Sequence, residues 1–516
     1  MKGDFSRFSF DPAKNYTGVL MQQGRVQLDS DWNEQVAIAR NQRETLLRDV
    51  IGEHGGPQAN GGFEIAFHSA HSGDFSIGAG RYYVNGILCE NHHTVSYLKQ
   101  PHYPDAVVLT HNTSSPYIAV YLEVWERSVN GFEDENLREI ALGDQDTTTR
   151  IQTIWQVKLL PVSHVIDQFV DDPPQVEGHI LNSPQWTHLV EGSRGRMSVR
   201  RTSAQSTLDN QLYRVEIHDG GDTPTFKWSR NNGALVYAVE SLTQTAGQSQ
   251  ETIVTVKGGF LQDLQNGSWV EIVDDVATLT ERPNPLMRIE RITGSQIRLS
   301  GVYPGDFSPQ ELAERHTYLR LWDQQPASAD GGAILIEPGK YIALENGIEI
   351  YFEDGSYHSG DSWVFTARSR MTDIAWPSEN GTPVAQPPTG PRHHFCLLSL
   401  LRHAHSEWHV LHDFRRLFPS MTGLLEINQE LQRLNAQLRE ENARLPRITV
   451  ERFGEGTSTK SEDRLYLILT IPSEDGTTRE TIRLLVNNGE HADLESGESP
   501  SVTIHVPKRR ANEEHP

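Results

Sequence analysis

Six histidines, His393, His394, His403, His405, His409 and His412, fall within twenty residues and form the best metal-ligand candidate in the chain. Neutral imidazole is a common ligand for zinc and related ions. On extended backbone His403 and His405 share one face, whereas His409 and His412 fall on opposite faces, so the four do not converge by strand period alone. A hairpin is the element that would bring three of them together. The carboxylates placed to orient such rings are Glu407 and Asp413. The reading adopted is packing or surface histidines, with His403, His405, His409 and His412 as weak metal candidates and no cofactor expected.

Other chemistry has no address. The chain lacks HExxH, GxSxG, GxxxxGK[ST] and a glycine fingerprint between strand and helix. Two carboxylates suffice for glycoside hydrolysis, but among sixty-nine acidic residues no pair stands out. Acidic turns at Asp29-Ser30-Asp31 and at Glu353-Asp354-Gly355 with Asp361 lack the distal Glu of a calcium loop and read as caps and turns. Trp125, Trp155, Trp186, Trp322, Trp376 and Trp408 are of the type that stacks sugar rings, although most of the ten tryptophans are expected in cores. We therefore expect no enzyme.

Composition narrows the class further. A formal charge of −23 opposes nucleic acid and anionic lipid as partners. The basic cluster Arg194, Arg196, Arg200 and Arg201 stands beside Gly192 and Gly195 and reads as a solvated loop. Cys89 and Cys396 lie far apart in apolar runs, as buried free thiols of a reducing compartment would. No stretch approaches the roughly eighteen apolar residues of a membrane span, and the start leads into no apolar signal core. Synthesis in the cytoplasm is expected, with membrane contact only through partners.

The patterning predicts a mainly β, multidomain chain: small antiparallel sandwiches or barrels, an N-terminal helix and a C-terminal coiled-coil helix. The expected segments are 1–55, an arm and helix; 56–165, a β domain; 166–206, a linker; 207–320, a β barrel or sandwich; 321–420, a further β module; 421–446, the coiled-coil helix; and 447–516, a small β unit with a mobile tail. Period-two alternation and the turns Asn85-Gly86 and Asn231-Asn232-Gly233 carry the β assignments. Trp32, Val36, Ala39, Leu46 and Val50 recur near helical spacing after the acidic Asp29-Ser30-Asp31 cap. The arm, with Phe5, Phe8, Phe10, Tyr16, Val19, Leu20 and Met21, is too apolar to float free and is expected to dock on another subunit or protein.

From Met421 the chain changes character. Leu424, Ile427, Leu431, Leu434, Leu438, Glu441 and Leu445 alternate at steps of three and four between polar flanks, the seam of a coiled coil, and Pro446 stops the helix. The competing arrangement is an amphipathic helix folded back on its own chain. A helix of this length spans about 33 Å and is marginal alone, so self-association is expected, with Leu424, Ile427, Leu431, Leu434, Leu438 and Leu445 in the seam.

Eight segments resemble a large family encoded with contractile, phage-tail-like injection systems: the opening MKGDFSRFSFDPAKNYTGVLMQQGRVQLDSDWNEQ, then GRYYVNGILCEN, YLEVWER, TRIQTIWQVKL, QLYRVEIHDGG, FKWSRNNG, LRLWDQ and HHFCLLSLL. The resemblance covers roughly residues 1–420 and transfers no catalytic residue. It implies a trimeric structural part near the baseplate, as crown, cage, fibre or anchoring extension, with baseplate proteins and further copies of itself as partners. The alternative is a particle-borne protein that binds or cleaves carbohydrate.

Overall fold

The computed structural model describes the chain except for residues 68–72, 111–115, 144, 203–209, 245–250, 259–260, 306, 326–330, 369–373, 445–446, 454–463, 473–478, 487–491 and 495–516. It is mainly β and divides into two compact units, Met1–Phe418 and Pro419–Pro516.

The first unit opens with helix α1 (Asp29–Ile51). Its entry is fixed by Asp31, whose side chain accepts the Leu28 N–H at 3.1 Å, and by Asp29, which accepts the Ser6 N–H at 2.8 Å and hydroxyl at 2.6 Å. The acidic triplet, expected as the N-cap, is instead the first helical turn: Leu28 is the N-cap, and only Asp31 reaches back to it. Strands β1 (His54–Pro57), β2 (Gly80–Val84) and β3 (Ile87–Asn91) follow, β2 and β3 joined by the Asn85-Gly86 turn, where both residues have positive φ. The long strands β4 (Tyr117–Val129) and β5 (Arg150–Val162) pair in register over thirteen residues.

Strand β4 reads YIAVYLEVW, nearly apolar on both faces, and both faces are covered. On one side Val120, Leu122 and Val124 join Tyr82, Cys89, Trp155 and Cys396 in a core. On the other, Tyr117, Ala119 and Tyr121 meet Val176, Ile180 and Trp186. These last three belong to helices α2 (Pro173–Leu181) and α3 (Pro184–Val190), so the stretch expected to be a linker is a helical layer. Each helix opens with proline at its first position and a capping side chain, Asp172 and Ser183. Burying an aliphatic or aromatic side chain here contributes about 1.5–3 kcal/mol. Cys89 and Cys396 are both free and buried.

A second core is a two-sheet sandwich. One sheet pairs β6 (Met197–Arg201) with residues 348–352, and the other pairs β7 (Gln211–Ile217) with β8 (Thr225–Ser229) and residues 362–367. Trp228, Trp363, Tyr213 and Phe352 fill the space between them. Arg200 and Arg201 therefore stand on a strand, where a solvated loop was expected. Arg200 donates to Glu349 at 2.8 Å and lies over the Tyr341 ring.

Between the two halves of this sandwich the chain builds a closed six-stranded barrel: β9 (Val236–Gln244), β10 (Glu251–Val256), β11 (Trp269–Val273), helix α4 (Asp275–Thr280), β12 (Leu286–Thr293), β13 (Gln296–Ser300) and β14 (Tyr318–Trp322). The spatial order is β9-β10-β13-β12-β11-β14, and β14 closes on β9. Its interior is apolar, with Val254, Val270, Ile272, Ile297, Leu299 and Leu319. Strands β15 (Ile348–Phe352) and β16 (Ser362–Ala367) complete the sandwich. The hairpin β17 (His394–Ala404) and β18 (Glu407–Asp413) then returns to pair with β4 in the first sheet. Module boundaries are thus crossed by the chain, because a strand late in sequence completes a sheet begun early.

The second unit holds helix α5 (Met421–Arg444), followed by an antiparallel sheet of β19 (Arg447–Phe453), β20 (Arg464–Pro472), β21 (Arg479–Val486) and β22 (Ala492–Leu494). No helix of the described residues is long and apolar enough to cross a membrane.

Candidate functional site

Helix α5 contains the whole 3-4 stripe up to Glu441. Leu424, Ile427, Leu431, Leu434 and Leu438 are all exposed, each between 43% and 54%, and Leu425 and Met421 beside them are more so. Five large apolar side chains on one face of a helix in water forfeit the burial that normally holds such a helix together. Leu445, the last expected seam position, lies outside the described residues.

The N-terminal region carries a second exposed apolar surface. On α1 the expected stripe faces outward, with Trp32 63%, Leu46 62% and Val50 74% exposed, and in the arm Leu20 reaches 91% and Val26 83%. The first residues of the arm behave differently. They dock on their own chain, where another subunit or protein was expected. The buried side chain of Asn232 donates to the carbonyls of Met1 at 3.1 Å and Gly3 at 3.0 Å. The Lys2 N–H donates to the Ser128 hydroxyl at 3.2 Å.

The histidines separate. His403 lies against the Trp408 ring at 4.9 Å, while His405 sits in the hairpin turn with φ 53°. His409 approaches Glu407 at 3.7 Å, and His412 Nε2 donates to the Val170 carbonyl at 2.7 Å. Among the described residues no group of three His, Cys, Asp or Glu side chains has metal-holding geometry. The hairpin expected over residues 395–401 and 408–414 forms, turning at His405-Ser406, both with positive φ although neither is Gly or Asn.

The histidine held between two carboxylates is His393, just before β17. Its Nδ1 meets Glu123 Oε1 at 2.8 Å and its Nε2 meets Glu281 Oε1 at 3.2 Å. Two carboxylates can be satisfied together only by an imidazolium, which donates from both nitrogens. Burial opposes that charge, yet the two carboxylates overcome it and lift the pKa to about 9. Burial likewise works against the Glu123 carboxylate, but His393 and Lys158 hold it below its usual range. Glu123 is on β4 and Glu281 ends α4, so this one ring ties the first sheet to the barrel. The next ring, His394, is driven down to about 4 by burial and by its charged neighbour.

A denser set of charges lies at the junction of arm, sandwich and barrel. Arg214 and Glu216 on β7, Lys227 on β8, Glu271 on β11 and Arg320 on β14 are all buried. Lys2 from the arm meets Glu216 at 3.0 Å, Arg214 Nε meets its second oxygen at 2.6 Å, and Lys227 bridges Glu271 at 2.6 Å and Glu216 at 3.6 Å. Burial would push the Glu216 carboxyl up, but Lys2, Arg214 and Lys227 together hold it well below the usual range. Burial draws the Lys2 ammonium down to about 7 against the pull of Glu216. These residues line a cavity of about 1130 Å³. Sequence reasoning missed them. The signal was present in LYRVEI, FKWS, WVEIV and YLRLW, where a charged residue sits inside a strand whose two faces are otherwise apolar.

The tryptophans considered for sugar stacking are core residues: Trp125, Trp155, Trp186, Trp322 and Trp408 are at most 6% exposed, and Trp376 packs partly buried against the sandwich core.

Compared with known proteins, the chain finds little outside its own family. No curated protein matches it. The crystal structure of TssK aligns with 66% of this chain and 99% of its own, at 7% identity and a TM-score of 0.16, an overlap too loose to transfer a fold or a role. A family of unknown function, DUF6519, matches residues 1–173 and 200–407, and the chain belongs to that family.

Proposed function

We propose that the chain is an oligomeric structural component of a contractile, phage-tail-like injection particle, standing near its baseplate. The observation that carries the oligomeric part is the exposed leucine stripe of α5, because a seam spaced at three and four residues is satisfied by a second copy of the same helix. The exposed face of α1 and the apolar arm from Leu20 to Leu28 supply a further surface for neighbours. The particle itself comes from the sequence segments that resemble injection-system proteins, chiefly the opening thirty-five residues. Three copies is the preferred number, and the chain acts by assembly with no turnover of its own.

Sedimentation of particles from a producing cell tests this reading. The wild-type chain should co-sediment with sheath and tube proteins, and a Leu431→Asp, Leu434→Asp variant should be depleted from the pellet while remaining soluble and folded. A wild-type chain that stays entirely in the supernatant of intact particles contradicts it.

A further inference from the structure

The buried junction has donors left over. Arg214 and Arg320 are 4% and 5% exposed, and the Nη1 of Arg214 and the Nε of Arg320 are buried without a hydrogen-bond partner among the described residues. His218 beside them, 7% exposed, has an Nδ1 with no partner among the described residues. All three residues line the cavity. A buried guanidinium N–H without an acceptor carries its full desolvation penalty, so two of them on one cavity wall call for an acceptor.

The charges agree with the donors. Lys2, Arg214, Lys227 and Arg320 face the same space as Glu216 and Glu271. Both carboxylates are already engaged, Glu216 by Lys2, Arg214 and Lys227, and Glu271 by Lys227 and the Trp322 indole N–H at 2.9 Å. Farther along the lining, Glu133 is matched by Arg127 and Glu126 by Arg40. Around Arg214 and Arg320 the basic groups Lys2, Arg214, Lys227 and Arg320 thus outnumber Glu216 and Glu271, although the lining as a whole, with Asp4, Asp29, Asp146, Asp263 and Glu281 on it, holds more acidic than basic side chains. Planar guanidinium groups with free N–H bonds are the side chains best shaped for an oxyanion.

We propose that this cavity binds a small free oxyanion, a phosphate or a carboxylate, held between Arg214 and Arg320 with Lys2 closing the site from the arm. The anion would lock the arm, the sandwich and the barrel together, since its ligands come from all three. Nothing in this depends on the assembly reading.

Calorimetric titration of the full-length chain with inorganic phosphate, and separately with succinate, tests the proposal at constant ionic strength in chloride buffer. One saturable site per chain is expected for at least one of them, and whichever binds names the class. Arg320→Gln should weaken that binding by about 10- to 100-fold, the loss of one charge-assisted donor, and Arg320→Lys should fall between. Should Arg320→Gln fail to fold, Lys2→Gln on the partly exposed arm serves instead and should weaken binding several-fold, with thermal unfolding confirming an intact fold. Absence of saturation by either anion up to about 10 mM overturns the proposal, as does unchanged affinity in the folded variants.

Discussion

His393 shows how one residue can hold two modules. Replacing it with Ala leaves Glu123 and Glu281 without their shared donor, and we expect a loss of about 2–4 kcal/mol at neutral pH, below the roughly 3–5 kcal/mol of a fully buried pair because Glu281 is 32% exposed and Lys158 stays on Glu123. The pH dependence has a definite sign. The folded pKa of about 9 lies above the ordinary value of about 6.5, so the contribution is complete below pH 6.5 and disappears as pH rises through 9. Urea unfolding of wild type and His393→Ala should therefore differ most at pH 6–7 and converge near pH 10. A gap that stays constant with pH would show that His393 acts by packing alone. A second residue test lies at Gly86, whose φ is 81° and where a Cβ would run into the Glu44 carbonyl on α1. Gly86→Ala should cost at least about 2 kcal/mol in the same assay, more than the left-handed backbone alone demands. Sequence supported the turn at Gly86, because Asn-Gly encodes it locally. It placed His393 in the histidine cluster but gave no hint of its partners, which lie 270 and 112 residues away.

Elements were legible where their cause is local. Period-two alternation and Asn-Gly turns marked β2, β3, β4, β5, β7 and β8, and the heptad spacing marked α5. Helices α2 and α3 were hidden by their own prolines. Pro173, Pro174 and Pro184 read as breakers, yet at a helix start the missing N–H costs nothing, and Asp172 and Ser183 supply the caps. What decides for helix there is the second apolar face of β4, which needs cover. The arm is the element with the sharpest internal contrast. Asn232→Ala removes two donors to its first residues at a buried position of positive φ. Amide exchange at Lys2 and Gly3, slow in the wild type, should accelerate by more than about tenfold in that variant, while Leu20 to Val26 should be unaffected. Equal rates at Lys2 and Gly3 in both proteins would mean that the arm is not held from Asn232.

At the scale of the whole molecule, three cores in one unit are threaded through each other. The barrel interrupts the sandwich, and the hairpin β17–β18 returns to the first sheet. The second unit presents α5, whose stripe is exposed in the single chain and would be covered by further copies in the proposed assembly. Self-association is therefore the central claim, and light scattering of the purified full-length chain at micromolar concentration tests it most directly. The account predicts a mass three times that of the 58.1 kDa chain, falling to one chain in Leu431→Asp, Leu434→Asp; a wild-type mass of 58.1 kDa contradicts it.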